Sequence, residues 1–163
     1  TFVPRHIAEY NLNYKQFTAF VLIHDGENVL TLRKCNNNRV TMIGGHIDYH
    51  YKTMVEDIRY IARRTAIKEL GEEVNHPREF TPTYDQLKPI LVMNTATEFD
   101  KILHGAIIFE YKVKDVSSLN FTSNEENKHV VEVHSIKDII TKNRSLKVDN
   151  WLWSAAKKIN NKQ

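Results

Sequence analysis

The sequence predicts an α/β fold, a mixed β-sheet between helices, on the strength of three observations. Phe17-Thr18-Ala19-Phe20-Val21-Leu22-Ile23 is a nearly continuous apolar run, as expected of a central strand covered on both faces. Shorter strand-like runs recur along the chain between turn residues. Two stretches, Ala66 to Val74 and Val148 to Ile159, instead space their apolar residues as a helix does. No internal repeat, low-complexity tract or linker divides the 163 residues, so one domain is read over 1–163.

Taken in order, Asp25-Gly26-Glu27-Asn28 supplies a turn after the first strand, and Val29 to Arg33 returns as its hairpin partner. Val40 to Ile43 makes a short strand ending at the glycine pair Gly44-Gly45. Pro89 to Met93 and Ile102 to Val113 are further strands, connected through Thr95 to Lys101. Val130 to Ile136 is the last clear strand, after which Ile136-Lys137-Asp138-Ile139-Ile140 starts a short helix. The terminal helix turns Trp151, Leu152 and Ala155 or Ala156 inward.

Helical phase sets the expectation for the segment before Ala66. The apolar positions from Ala66 to Val74 are Ala66, Ile67, Leu70 and Val74, opposite or beside the face of Glu69, Glu72 and Glu73. Met54, Val55, Ile58, Ile61 and Ala62 project onto the glutamate side at about 100° per residue. One straight helix would therefore bury two faces and turn Arg63 toward the core. The expectation is a break near Tyr60 to Arg64, with Thr53 to Ile61 a separate short helix over the site or against a second subunit. A single long helix covered by another element is the alternative.

Glu69, Glu72 and Glu73 stand at i, i+3 and i+4, so a helix gathers them within one turn. Like charges so placed repel by a few tenths of a kcal/mol per pair. A hard divalent cation relieves that repulsion, since carboxylate oxygens suit Mg2+ or Mn2+. A solvated acidic helix end has the same pattern.

Together with Gly44-Gly45-His46-Ile47-Asp48 upstream, Ala66-Ile67-Lys68-Glu69-Leu70-Gly71-Glu72-Glu73-Val74-Asn75 resembles the signature of the Nudix hydrolases. Glu69, Leu70, Glu72 and Glu73 match that pattern outright. Lys68 stands where the family has arginine, keeping the charge without the bidentate fork. Asn75 replaces the closing glycine, a tolerable change because asparagine also enters the left-handed conformation of a helix cap. Gly45 to Lys68 is nine residues longer than the family's spacing of fourteen. The resemblance implies an α/β/α sandwich over nearly the whole chain. It also implies cleavage of a nucleoside diphosphate derivative with Mg2+ or Mn2+.

By the same resemblance, Glu69, Glu72 and Glu73 form the metal shell with the backbone carbonyl of Gly45. Glycine there lets the backbone approach a cation without a Cβ. Lys68 orients the glutamates. Glu125 or Glu126 occupies the place where the family often carries an acidic residue before its last strand, and Glu126 is taken as the catalytic one. Arg64 and His46 are candidate substrate contacts, through polyphosphate or base, although Arg64 also suits solvent. His46-x-Asp48-x-His50 alternates as zinc ligands on a strand do, but no further His/Cys cluster closes that set. Tyr10, Tyr14, Phe17, Tyr49 and Tyr51 are aromatic candidates for base stacking or for the core.

Composition narrows the class. An apolar content of 41% is ordinary for a globular protein, and no apolar run reaches the length of a membrane span. Cys35 is the only cysteine, which excludes internal disulfides and suits a reducing, cytoplasmic setting. A net charge of +3 does not by itself indicate nucleic-acid binding. The chain begins at Thr1 without methionine, so a preceding targeting segment stays open.

The resulting expectation is a Mg2+-dependent pyrophosphohydrolase acting on a nucleotide, with a lean toward nucleoside triphosphates and a homodimer possible. The alternatives are a non-catalytic module that binds nucleotide or protein, and hydrolysis at an RNA 5′ end.

Overall fold

The structure is a computed structural model that describes Ile7 and residues 16–47, 57–77, 80–94, 104–125, 127–141 and 146–162. Strand β1 (Gln16–His24) lies at its centre, as the apolar run predicts. It pairs antiparallel with β2 (Asn28–Lys34) at His24 and Val29, across the Asp25 turn. The Asp25 carboxylate accepts the backbone N–H groups of Glu27, Asn28 and Val116 at 2.7–3.1 Å, which ties the turn to a distant loop.

The segment after the hairpin corrects the sequence reading. A short strand ending at the glycine pair was expected, but two strands form, β3 (Arg39–Thr41) and β4 (Ile43–His46). The glycine pair lies inside β4, which runs antiparallel to β1 with Gly44 opposite Phe20 and Gly45 opposite Ala19. Main-chain pairing with β1 therefore carries extended structure through two residues of low strand propensity.

Helix α1 (Ile58–Glu73) follows, and it overturns the expected break at Tyr60 to Arg64. The helix is continuous and starts at Asp57, whose carboxylate accepts the Arg59 N–H at 2.9 Å. Ile58 to Ile61 belongs to it, while Thr53 to Glu56 lies outside the described residues. Two physical facts replace the break. Ile61, Ala62, Thr65, Ala66 and Leu70 are buried along an arc that also contains Glu69 and Glu73, so one face suffices. Arg63 does turn inward, where its Nε donates to the Leu87 carbonyl at 3.1 Å and its guanidinium lies 5.7 Å from the centre of the Phe109 ring.

The helix passes into β5 (Val74–Asn75), which pairs with β8 (Thr122–Ser123) as a separate small ladder. Strand β6 (Lys88–Asn94) is antiparallel to β7 (His104–Lys112), and β7 runs parallel to β1 along its whole length. Strand β9 (His129–Ser135) pairs with β2, and β10 (Lys147–Val148) with β3. Helices α2 (Ile136–Thr141) and α3 (Asn150–Asn160) complete the described elements, within about two residues of the expected bounds. The expected connection from Thr95 to Lys101 lies outside the described residues.

Alternation along β1 separates two cores. Ala19, Val21 and Ile23 pack with Ala62, Ala66 and Leu70 of α1. Phe20 and Leu22 pack with Ile139 of α2 and Leu152, Ala155 and Ile159 of α3. The result is a mixed sheet between helical layers, the α/β/α sandwich that was expected. At the end of β1, His24 is 4% exposed and neither ring nitrogen has a hydrogen-bond partner. Its Nε2 stands 3.9 Å from Glu110 Oε2, and burial holds its pKa below the ordinary histidine value.

Candidate active site

The candidate site lies where the last two turns of α1 cross the glycine pair of β4. A Cβ at Gly45 would stand only 2.4–2.6 Å from the carboxylate of Glu69. The missing side chain is thus the space that the Glu69 carboxylate occupies. Gly44 serves differently, with φ of +151° and its N–H donating to Glu73 Oε2 at 2.9 Å. Two carboxylates one turn apart are held between helix and strand by residues without side chains.

Their electrostatics follow from that placement. Burial raises the pKa of Glu73 to about 7, and the neighbouring charge of Glu69 adds to the rise while the Gly44 N–H opposes it. Lys34 at the end of β2 opposes the rise as well, and Glu125 adds to it, so both are within electrostatic reach.

The far end of α1 is fastened by the segment around β8. Asn124 N–H and His129 Nε2 both donate to the Glu73 carbonyl at 3.0 Å, and Asn124 Nδ2 donates to the Gly71 carbonyl at 3.1 Å. These bonds satisfy carbonyls that a helix end leaves open, and they fix the turn from which Glu73 projects. No local pattern announces them, because each joins residues more than fifty positions apart.

No family model and no curated protein matches the sequence. Solved structures do match. Tm1382, a proposed Nudix hydrolase, superposes with a TM-score of 0.70 at 21% identity, over 100% of this chain and 79% of that one. The Nudix domain of Shewanella oneidensis NrtR, solved with ADP-ribose, gives 0.62 at 12% identity over 99% of both chains. An Ap4A hydrolase of C. elegans gives 0.57 at 17% identity, over 90% of this chain and 96% of that one.

The chain has the Nudix fold. Within it, the residues singled out from the sequence do not all meet. Glu69 and Glu73 face the glycine pair. Glu72 lies on the outer side of the same turns, more than half exposed, with its Oε2 3.1 Å from Lys68 Nζ. Lys68 thus holds a glutamate, as an orienting residue would, but the outermost one. Arg64 is exposed. His46 lies opposite Thr18 on β1 and projects to the α2/α3 face, away from Glu69. There its Nε2 is 3.4 Å from His104 Nε2, a partner that the sequence pattern did not suggest. Glu126, Asp48, His50, Tyr10, Tyr14, Tyr49 and Tyr51 lie outside the described residues. Glu125, the other acidic candidate, pairs with Lys128.

Among the described residues, no three His, Cys, Asp or Glu side chains stand close enough together to hold a metal ion. The Glu69/Glu73 pair offers carboxylate oxygens, which suit a hard divalent cation. No helix among the described residues is long and apolar enough to cross a membrane.

Proposed function

We propose that this Nudix-fold chain is a hydrolase that cleaves the phosphoanhydride of a nucleoside diphosphate derivative with Mg2+ or Mn2+. The observation that carries the reading is the Glu69 carboxylate seated where a Cβ of Gly45 would be, beside Glu73 bonded to the Gly44 N–H. Carboxylates drawn together against bare backbone repel each other, and a structural role alone would not require both. Glu69 and Glu73 would hold the ion, joined by Glu72 and the Gly45 carbonyl according to the family pattern. When bound, it supplies neutralisation of phosphate charge and a more acidic water.

The chain's own residues have distinct tasks in this reading. Gly44 and Gly45 keep the helix close to the strand, so that the carboxylates project at a fixed depth. Lys68 restrains Glu72. Asn124 and His129 hold the last turn of α1 in place. One of the glutamates, or an acidic residue from a distant loop such as Glu126, would accept the proton of the attacking water.

Hydrolysis is tested by turnover with and without Mg2+ or Mn2+ across nucleoside triphosphates, ADP-ribose, dinucleoside polyphosphates and a 5′-triphosphorylated RNA. Metal-dependent release of a nucleoside monophosphate or pyrophosphate is expected from at least one of them, and none from the Glu73→Gln variant. Binding of a nucleotide without turnover under any of these conditions would replace the hydrolase with a non-catalytic module. That second reading is favoured by the absence of a third converging acidic group among the described residues. The NrtR Nudix domain, solved with ADP-ribose, places that compound in the panel.

A further inference from the structure

We infer that Lys34, Arg39 and Lys147 form a cationic row that binds a chain of linked phosphates on the α1 side of the sheet. Strand register builds the row. Arg39 on β3 is paired with Lys147 on β10. The antiparallel pairs of Leu32 with Thr41 and Arg33 with Val40 continue to Lys34 opposite Arg39. The turn between those two is tight, with Asn38 at φ of +56° and its N–H donating to the Lys34 carbonyl at 2.9 Å. Alternation sets the side. Val40 and Val148 pack under α2 and α3 while Leu32 packs with α1, so Lys34, Arg39 and Lys147 share the α1 side. Neighbouring strands stand about 4.8 Å apart, so the row runs about 10 Å from Lys34 to Lys147.

The row begins beside the carboxylate pair. Lys34 is opposite His129 of β9, whose Nε2 lies 3.0 Å from the Glu73 carbonyl, and the Lys34 charge reaches Glu73. From there the row leads outward to an open cleft of about 460 Å3 lined by Asn37, Arg39, Lys147 and Val148. All three cations are exposed, and none is ion-paired to a carboxylate of the described residues. Asp149, two residues beyond Lys147, is already taken by Thr41 Oγ1 at 2.7 Å and the Leu152 N–H at 2.8 Å. Like charges opposite each other on neighbouring strands cost stability, and an anion laid across them relieves that cost. Linked phosphates present their charge along a line, as the row does. The four residues lining the cleft include no aromatic ring for a base to stack on, which favours a phosphate chain over single-stranded nucleic acid. On the proposed hydrolase reading, phosphates beyond the cleaved bond would lie along the row, and that step alone rests on it.

The test is calorimetric titration of the whole chain with inorganic tripolyphosphate and with orthophosphate, at low ionic strength in buffer freed of divalent metal. Tripolyphosphate should bind at least about tenfold more tightly than orthophosphate, and less tightly as salt is added. Arg39→Ala and Lys147→Ala should each weaken tripolyphosphate binding by at least about fivefold, with the melting temperature unchanged or raised. Arg39→Lys keeps the charge and should retain most of the binding, and Glu69→Gln should not weaken it. Equal affinity for the two anions, or tripolyphosphate binding unchanged in both alanine variants, would overturn the row. Tighter binding of a single-stranded RNA without a 5′ phosphate, lost in the same variants, would overturn the phosphate chain as its ligand. Should the alanine variants fail to fold, the comparison of the two anions on the wild type decides alone. Because binding is read without metal or turnover, its failure would leave the hydrolase reading untouched, and failure of that reading would leave the row.

Discussion

Glu69 and Glu73 are equivalent in the sequence pattern but differ in what surrounds them. Glu69 fills the space over Gly45, while Glu73 is fixed by the Gly44 N–H. Each should lower turnover by at least about a hundredfold when changed to glutamine, since the lost charge faces developing phosphoryl charge. Steady-state kinetics at saturating metal check this, and near-wild-type rates in both variants would refute the assignment. Lys68 gives a milder expectation. Lys68→Arg keeps a partner for Glu72 and should retain activity, whereas Lys68→Ala should lose activity with little change in melting temperature, because the pair is exposed. Equal activity in all three forms would make position 68 a solvated face. The sequence revealed the glutamates because their spacing is local. It did not reveal the Asn124 and His129 bonds or the meeting of His46 with His104, since these depend on strands brought together from distant positions.

Helix α1 and strand β4 show why phase alone misled. The glutamates read as a polar face that solvent should cover, so the apolar residues before them seemed to belong to a different helix. The glycine pair removes that conflict by admitting carboxylates to the buried side. Gly44→Ala and Gly45→Ala should therefore fail in different ways. At Gly44 a Cβ would meet the Ala19 carbonyl oxygen at 2.2 Å and the Phe20 Cα at 2.8 Å, on a backbone with φ of +151°. Main chain cannot yield cheaply, so Gly44→Ala should lower the melting temperature markedly. At Gly45 the clash is with the movable end of Glu69. Gly45→Ala should stay folded and lose turnover and Mg2+ affinity. Differential scanning calorimetry beside kinetics separates the two. Loss of stability at Gly45 with activity intact would contradict this account.

For the whole molecule, two desolvated ionisable groups, half-buried Glu73 and buried His24, oppose each other across pH. The metal-free fold disfavours the charged form of Glu73, with its pKa raised to about 7 from 4.5. That contribution is fully present below about pH 4.5 and lost as pH rises through 7, roughly 3 kcal/mol in all. Burial of His24 acts the other way, because its pKa is lowered from 6.5. Its contribution is present above pH 6.5 and lost as pH falls through the lower folded value. Urea unfolding in chelator across pH 4 to 8 should show Glu73→Gln relieving the loss on the alkaline side and His24→Leu the loss on the acid side. Saturating Mg2+ should relieve the alkaline loss in the wild type and in His24→Leu but change nothing in Glu73→Gln; identical profiles for wild type and both variants would exclude these groups as the source.

The bonds from Asn124 and His129 to the end of α1 also impose an order on synthesis. A chain growing from its N-terminus makes Glu69 and Glu73 long before the residues that fasten their helix. When β7 has emerged as far as Lys112, β1 has neighbours along both edges, yet the Gly71 and Glu73 carbonyls still lack these donors. Chains stalled on the ribosome beyond that point should resist proteolysis of the central sheet while releasing no product. On the proposed hydrolase reading, activity should not appear before residue 129 has cleared the exit tunnel and β9, α2 and α3 have covered the other side of the sheet, so that the strands can assemble some time before the site can work.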